Sequence, residues 1–201
     1  MKQTLILLAG YPAAGKTYLC NLIWEQFPEF VVVSQDTIKE EIWDEYGFNN
    51  CEEKIRLELL SWEKYYKIME ENIEKRISVI SDYPFSDKQK NRLQALTEKY
   101  QLQVVTIRLI GDLEILFQRS LKRDLDNSRH LGHLATCYHK GDVMEDRSQA
   151  YGFVTHEIFM ERCKNRGYNT FELGFLIEID VTDYNKIDYN EMLDKLGDLL
   201  Q

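Results

Sequence analysis

Five apolar runs punctuate the chain, at about 3–9, 30–34, 77–82, 103–110 and 175–180, and between them the apolar residues fall at helical steps. Strands alternating with helices predict an α/β fold whose parallel sheet is covered on both faces, because a parallel crossover needs a connecting element long enough to be a helix. Leu19, Leu22, Ile23 and Phe27 mark one face of the first helix. Ile55, Leu59, Trp62, Tyr66, Met69 and Ile73 form one stripe of a long one, and rings at that spacing read as core and not as a base-stacking platform. Ser86-Asp87-Lys88-Gln89 has the form of a capping box opening a helix with Leu93, Leu96 and Tyr100 inward. Asp112 is expected to cap the next, with Leu116, Leu121 and Leu125 inward. Helical pattern resumes at about 148–166, and a short last helix carries Met192, Leu193 and Leu196. The stretch 126–146 is different: it is polar, holds Gly132 and Gly141, and collects three of the four histidines. It is expected to be a mobile lid or a partly helical excursion with few apolar anchors.

Composition narrows the class without choosing a function. The 201 residues suit one α/β domain spanning 1–201, and no Gly/Ser/Pro-rich linker divides them. Hydrophobic residues at 44% and charged residues at 29% are ordinary for a globular protein, and long disorder is not expected. No basic leader precedes the first strand and no stretch is apolar for long enough to span a bilayer, so a cytoplasmic protein without a membrane partner is expected. The four cysteines have no paired spacing and read as free thiols. A net charge of −9 argues against a surface that holds long nucleic acids, since such binding draws on many cations along a track.

Gly10-Tyr11-Pro12-Ala13-Ala14-Gly15-Lys16-Thr17 fits G-x-x-x-x-G-K-[ST] at every fixed position, directly between the first apolar run and an amphipathic helix. This context makes it a phosphate-binding loop. Small residues at Gly10, Ala13, Ala14 and Gly15 let successive N–H groups curl around a polyphosphate, and the helix entered through Lys16, Thr17 and Tyr18 presents its positive end. Lys16 is placed to reach the β and γ phosphates, and Thr17 to offer a hydroxyl to magnesium. In an open parallel sheet ligands sit beyond the carboxyl ends of the strands, which directs attention to Asp36 and Asp82. Asp36 is either a general base facing the γ-phosphate or a helix cap; Asp82 is either a support of the magnesium shell or a turn residue before Pro84.

On these residues the chain resembles the adenylate-kinase-like branch of P-loop kinases, in particular small bacterial ATP-binding proteins related to polynucleotide kinase, chloramphenicol phosphotransferase and zeta toxin. Asp36-Thr37-Ile38-Lys39 matches the D-x-x-[RK] element that contains the base in those families. The resemblance implies a P-loop NTPase fold with five parallel strands in the order 2-3-1-4-5, ATP and Mg2+ as cofactors, and a lid whose arginines clamp the transferring phosphate, for which Arg119, Arg123 and Arg129 are the candidates. It also implies that Thr182 and Asp183, with Tyr184, line the adenine pocket. The expected activity is transfer of the ATP γ-phosphate to a hydroxyl of a small-molecule or nucleotide-like acceptor. The alternatives are a nucleotide switch or ATPase without transfer, and a polynucleotide 5'-hydroxyl kinase. Arg129-His130-Leu131-Gly132-His133 resembles a segment of some members and is expected to hold substrate or phosphate; a zinc site of His130, His133, Cys137 and His139 is the competing reading. Asn185-Lys186-Ile187-Asp188 fits a guanine-reading motif literally, but it stands beyond the strand end, and the only Asp-x-x-Gly, Asp44 to Gly47, lies in a helical stretch.

Overall fold

A computed structural model describes residues 2–201. Along the first strand, β1 (Thr4–Gly10), side chains alternate between the two faces of the sheet, and both faces are apolar, so every residue of the strand is buried. β1 lies centrally between β3 (Val79–Asp82) and β4 (Gln103–Ile110); β2 (Val31–Val32) and β5 (Phe175–Asp180) form the edges, all parallel in the order β2-β3-β1-β4-β5. This is the order implied by the resemblance. Ile6 and Leu8 face one core with Leu19 and Ile23 of α1 (Lys16–Gln26), Leu116 of α5 (Leu113–Leu125), and Met192 and Leu196 of α7 (Tyr189–Leu200). Leu5 and Leu7 face the other, with Ile38 and Ile42 of α2 (Gln35–Tyr46), Tyr65, Met69 and Ile73 of α3 (Cys51–Glu74), and Leu93 of α4 (Asp87–Tyr100).

The capping box at Ser86 and Gln89 and the cap at Asp112 form as expected. Several boundaries and burials differ. β2 is shorter than the apolar run, because it pairs only with β3 and its chain turns at Ser34 into α2. The first half of the long stripe is not core: Ile55 and Leu59 are exposed, since α3 extends about 36 Å at 1.5 Å per residue and outruns the sheet. Leu125, the last residue of α5, is also exposed. The pattern at 148–166 forms a helix only over α6 (His156–Asn165), opened by Thr155, whose hydroxyl accepts from the Ile158 amide.

The stretch expected to lack apolar anchors has them. Leu131, Leu134, Ala135, Tyr138 and Ala150 bury against Trp43 of α2 and Phe48, forming a third core. Phe48 and Tyr138 exchange backbone hydrogen bonds as an antiparallel bridge, and the Lys54 ammonium donates to the Ala135 carbonyl. The lid is therefore joined to α2 and α3. No helix among the described residues is long and apolar enough to cross a membrane.

Candidate active site

Small residues shape the loop after β1 for a reason visible at each one. A Cβ on Gly10 would stand 2.0 Å from the Leu109 carbonyl oxygen, so only glycine lets β1 lie this close to β4 as the chain turns. Gly10, Ala13 and Gly15 all have positive φ, the backbone reversal that turns successive amides inward toward an anion. Gly15 is also covered by Tyr184, whose hydroxyl would lie 3.0 Å from a Cβ there. Lys16 is buried and donates to the carbonyls of Tyr11 at 2.6 Å and Gly10 at 3.3 Å. Burial pulls its ammonium down to about 8, with Asp82 and Asp36 opposing.

Asp82 ends β3 beside this loop. One of its oxygens accepts the Thr17 hydroxyl at 2.8 Å, while the other is buried with no partner. Burial raises this carboxyl above its usual range, and the hydroxyls of Thr17 and Ser34 oppose the rise. An orphaned carboxylate oxygen next to a threonine hydroxyl is a hard, all-oxygen pair of donors, and it fits magnesium better than a softer metal.

Asp36 is not the cap of α2. Ser34 occupies that position, and the Asp36 carboxylate instead accepts from the Lys39 ammonium at 2.6 Å inside the cleft. Burial works to raise this carboxyl, yet Lys39, His133 and Arg129 together hold it well below the usual carboxylate range. It is ionised at every physiological pH, with one face open to the cleft. Lys39 is fixed in turn by the rings of Trp43 and Tyr83, 5.3 and 5.9 Å away.

The lid lies against the same face of α2. Asp36, Glu40 and Asp44 follow at one helical turn each. Glu40 pairs with His133 at 2.6 Å; Asp44 pairs with His130 at 3.1 Å and accepts the Tyr138 hydroxyl at 2.5 Å. His139 turns away to Asn49, and Cys137 is exposed. The zinc reading is thus overturned: the three imidazoles serve three different partners, and no group of three metal-ligating side chains exists among the described residues. All four cysteines are free.

The three arginines differ in how firmly they are held. Arg119 donates to the Val181 and Thr182 carbonyls at 2.6 and 2.9 Å and stacks on Tyr184 at 3.8 Å, so it braces the loop after β5 and is not a free clamp. Arg123 pairs with Asp124 and reaches the cleft half exposed. Arg129 is the loosest: its Nε is buried without a hydrogen bond, and its nearest carboxylates, Asp124 and Glu40, are 3.9 and 4.0 Å away. Burial and the neighbouring Arg123 both disfavour its charge, which an anion in the cleft would relieve.

Thr182 and Asp183, expected at the adenine, make local hydrogen bonds beside the cleft. The Thr182 hydroxyl accepts from the Asp112 amide and ties two loops together, the Asp183 carboxylate accepts from the Asn185 amide and caps the short turn at Tyr184–Lys186, and Tyr184 is the residue of that loop that lines the cleft. The literal guanine motif is used up in the same way, since Asp188 caps α7. Two cations that sequence reasoning did not single out, Arg162 and Arg166, also line the cleft. They stand four apart at the end of α6, the same spacing that marks Arg119 and Arg123. The whole cleft, about 620 Å³, runs from the phosphate loop past Asp36 and Tyr83 to the lid.

The AAA domain family matches residues 5–136 of the chain. Over the full length of both chains it is similar to a structure from Chloroflexus aurantiacus J-10-fl described provisionally as a kinase, with 25% identity and a TM-score of 0.78. A gluconokinase from Sinorhizobium meliloti 1021 shares the fold at 14% identity and a TM-score of 0.51, covering 99% of this chain and 92% of that one. A sugar kinase from Janibacter sp. HTCC2649 does so at 13% identity and the same TM-score, covering 100% and 95%. No curated protein matches the sequence significantly.

Proposed function

Because the chain belongs to the AAA domain family of P-loop proteins and has a P-loop kinase fold, we propose that it transfers the γ-phosphate of ATP to a hydroxyl of a small molecule. The observation that carries this reading is the Asp36 carboxylate, paired with Lys39 and open to the same cleft as Lys16 and the phosphate loop. A hydrolase needs no such group for an organic acceptor, whereas a kinase needs a carboxylate that orients the incoming hydroxyl and accepts its proton.

In this mechanism the amides of 10–17 and Lys16 hold the polyphosphate. Thr17 and Asp82 would hold magnesium, which when bound neutralises charge on the phosphate oxygens. Asp36 accepts a hydrogen bond from the acceptor hydroxyl and fixes its lone pair toward the γ-phosphorus. As the new O–P bond forms, the bond from phosphorus to the β–γ bridging oxygen breaks and its electron pair leaves with ADP. The hydroxyl proton passes to Asp36 and then to solvent. Because Asp36 is a weak base, its proton acceptance belongs late in the step, as a loose transition state allows. Arg129 and Arg123 meet the charge on the moving phosphoryl group.

The test is incubation with γ-labelled ATP, magnesium and a metabolite extract. Label moving to an organic product, abolished in Asp36→Asn, is the expected result. Label appearing only as inorganic phosphate, at the same rate in Asp36→Asn, overturns the proposal in favour of an ATPase or switch.

A further inference from the structure

The outer face of α3 is apolar where a solvated helix face is ordinarily polar. Ile55, Leu59 and Leu60 are 57, 62 and 45% exposed, and Leu60 borders an open groove shared with Tyr46, which is itself 58% exposed. No residue of α3 lines the cleft beside the phosphate loop, so these side chains have no part in the site described above.

Charge on the same face has an order. Glu52, Arg56, Glu63 and Lys67 fall within about 60° of arc at 3.6 residues per turn, and Leu59 and Leu60 stand on either side of that line at its middle. Within the chain these charges meet exposed partners that add little to the fold: Arg56 meets Glu52, Lys67 meets Glu71, and Glu63 meets Arg92 of α4. Their signs run minus, plus, minus, plus along the helix. About the midpoint between Leu59 and Leu60, Arg56 and Glu63 are equally distant and opposite in sign, and so are Glu52 and Lys67. A parallel copy in register would set each charge against itself. An antiparallel copy, related by a two-fold axis through that midpoint, sets each Arg56 against a Glu63 and each Glu52 against a Lys67. Leu59 then meets its own counterpart on one side of the line and Leu60 meets its own on the other, with Ile55 extending the Leu59 side by one turn.

We propose that the outer face of α3 is the interface of a homodimer, in which the helices of two copies pack antiparallel across a two-fold axis between Leu59 and Leu60. A foreign partner would need no such antisymmetry of charge, whereas a second copy of the same helix requires it. The leucines supply the apolar contact and the two sets of opposite charges fix direction and register, as flanking charges do in paired helices. The dimer stands apart from the kinase reading and leaves the cleft open.

Three apolar side chains and four charges per copy make a small interface, so association should be reversible, with a Kd of about 1–100 µM. Sedimentation equilibrium of the full chain at low salt, from about 1 to 300 µM, should show monomer passing to dimer across that range. Leu59→Arg should raise the Kd about a hundredfold or more while the circular dichroism spectrum and the ATP Kd stay as they are. Glu52→Lys and Lys67→Glu each place two like-charged pairs in the homodimer, and each should weaken it about tenfold. Mixing these two variants restores both opposite pairs, so the mixture should form heterodimers about as tightly as the unaltered protein dimerises. That recovery belongs to the antiparallel register alone. A monomer throughout the range overturns the proposal and leaves the stripe to a foreign partner or to solvent. A dimer indifferent to Leu59→Arg, or single variants that do not recover on mixing, overturns it as well.

Discussion

At the residue scale, Lys16 is the group whose chemistry is most exposed to test. Its ammonium bonds to carbonyls of its own loop, and burial pulls it down to about 8. Phosphate oxygens would stabilise the charged form, so above pH 8 binding must bring in a proton. ATP affinity should therefore fall by up to roughly tenfold per pH unit between about pH 8.5 and 10. Calorimetry in buffers of different ionisation enthalpy should register proton uptake on binding at pH 9 and almost none at pH 6.5. Lys16→Ala should weaken ATP binding and nearly eliminate turnover; unchanged affinity and rate would remove the phosphate loop from the site. Asp36→Asn should act differently, leaving ATP affinity near wild type and lowering transfer by about a hundredfold or more. The phosphate loop was legible from spacing alone because its glycines answer to backbone geometry, a local matter. That Asp36 is not the cap of α2 was not decidable from the sequence, since its surroundings depend on where Lys39, His133 and Arg129 arrive from other turns and other segments.

At the scale of elements, the lid is the clearest departure from expectation. Its polar composition concealed a stripe: Leu131, Leu134, Ala135 and Tyr138 stand at i, i+3, i+4 and i+7, a helical spacing that could have flagged buried contact even though the chain makes only a single turn of 3-10 helix there. What sequence could not supply was the partner surface of Trp43 and Phe48. Leu134→Ala should cost about 2–5 kcal/mol, as for other buried leucines, and should speed amide exchange across 130–138 more than in β1 or β4. Equal effects in the lid and the sheet would mean that the third core has no separate stability. Acid should loosen the same segment. Burial lowers the His133 imidazole to about 4 despite the opposing Glu40, so the undocked state binds a proton that the docked state excludes, and docking weakens as pH falls from about 6.5 toward 4. Glu40 and Asp44 act in the same direction at lower pH, because their carboxyls are held below the usual range and lose their partners' stabilisation on protonation. Exchange over 130–138, corrected for its intrinsic pH dependence, should be faster at pH 5 than at pH 7.

For the whole molecule, charge is partitioned. With eight of its 25 lysines and arginines and only three of its 34 acidic residues lining the cleft, the rest of the chain carries 17 cations against 31 acids, a balance of −14. Such a surface repels a polyanion and offers it no track. Binding of 5'-hydroxyl oligonucleotides should be weak even at low salt; efficient labelling of oligonucleotides, with affinity falling steeply as salt rises, would favour a polynucleotide kinase. The net charge was readable from composition, and so was the sheet, because strands buried on both faces leave nearly unbroken apolar runs. The concentration of arginines was only half readable: Arg162 and Arg166 reach the site because α6 packs on α5, a tertiary fact without a local signature.

One rod carries both the proposed base and the latch of the lid, since Asp36, Glu40 and Asp44 occupy successive turns of α2. Variation in this protein should therefore be inherited in blocks. A change at Glu40 alters what His133 can be, and through the lid's seating on α2 it alters the setting of Arg129 across from Asp36. In a double-mutant cycle, Glu40→Gln and His133→Gln should be coupled by about 0.5–3 kcal/mol. In a laboratory selection that starts from a weakened Glu40 variant, the compensating substitutions should arise at 130, 133 and 138 before they arise in the phosphate loop. Compensation scattered evenly over the chain would mean that the rod transmits nothing.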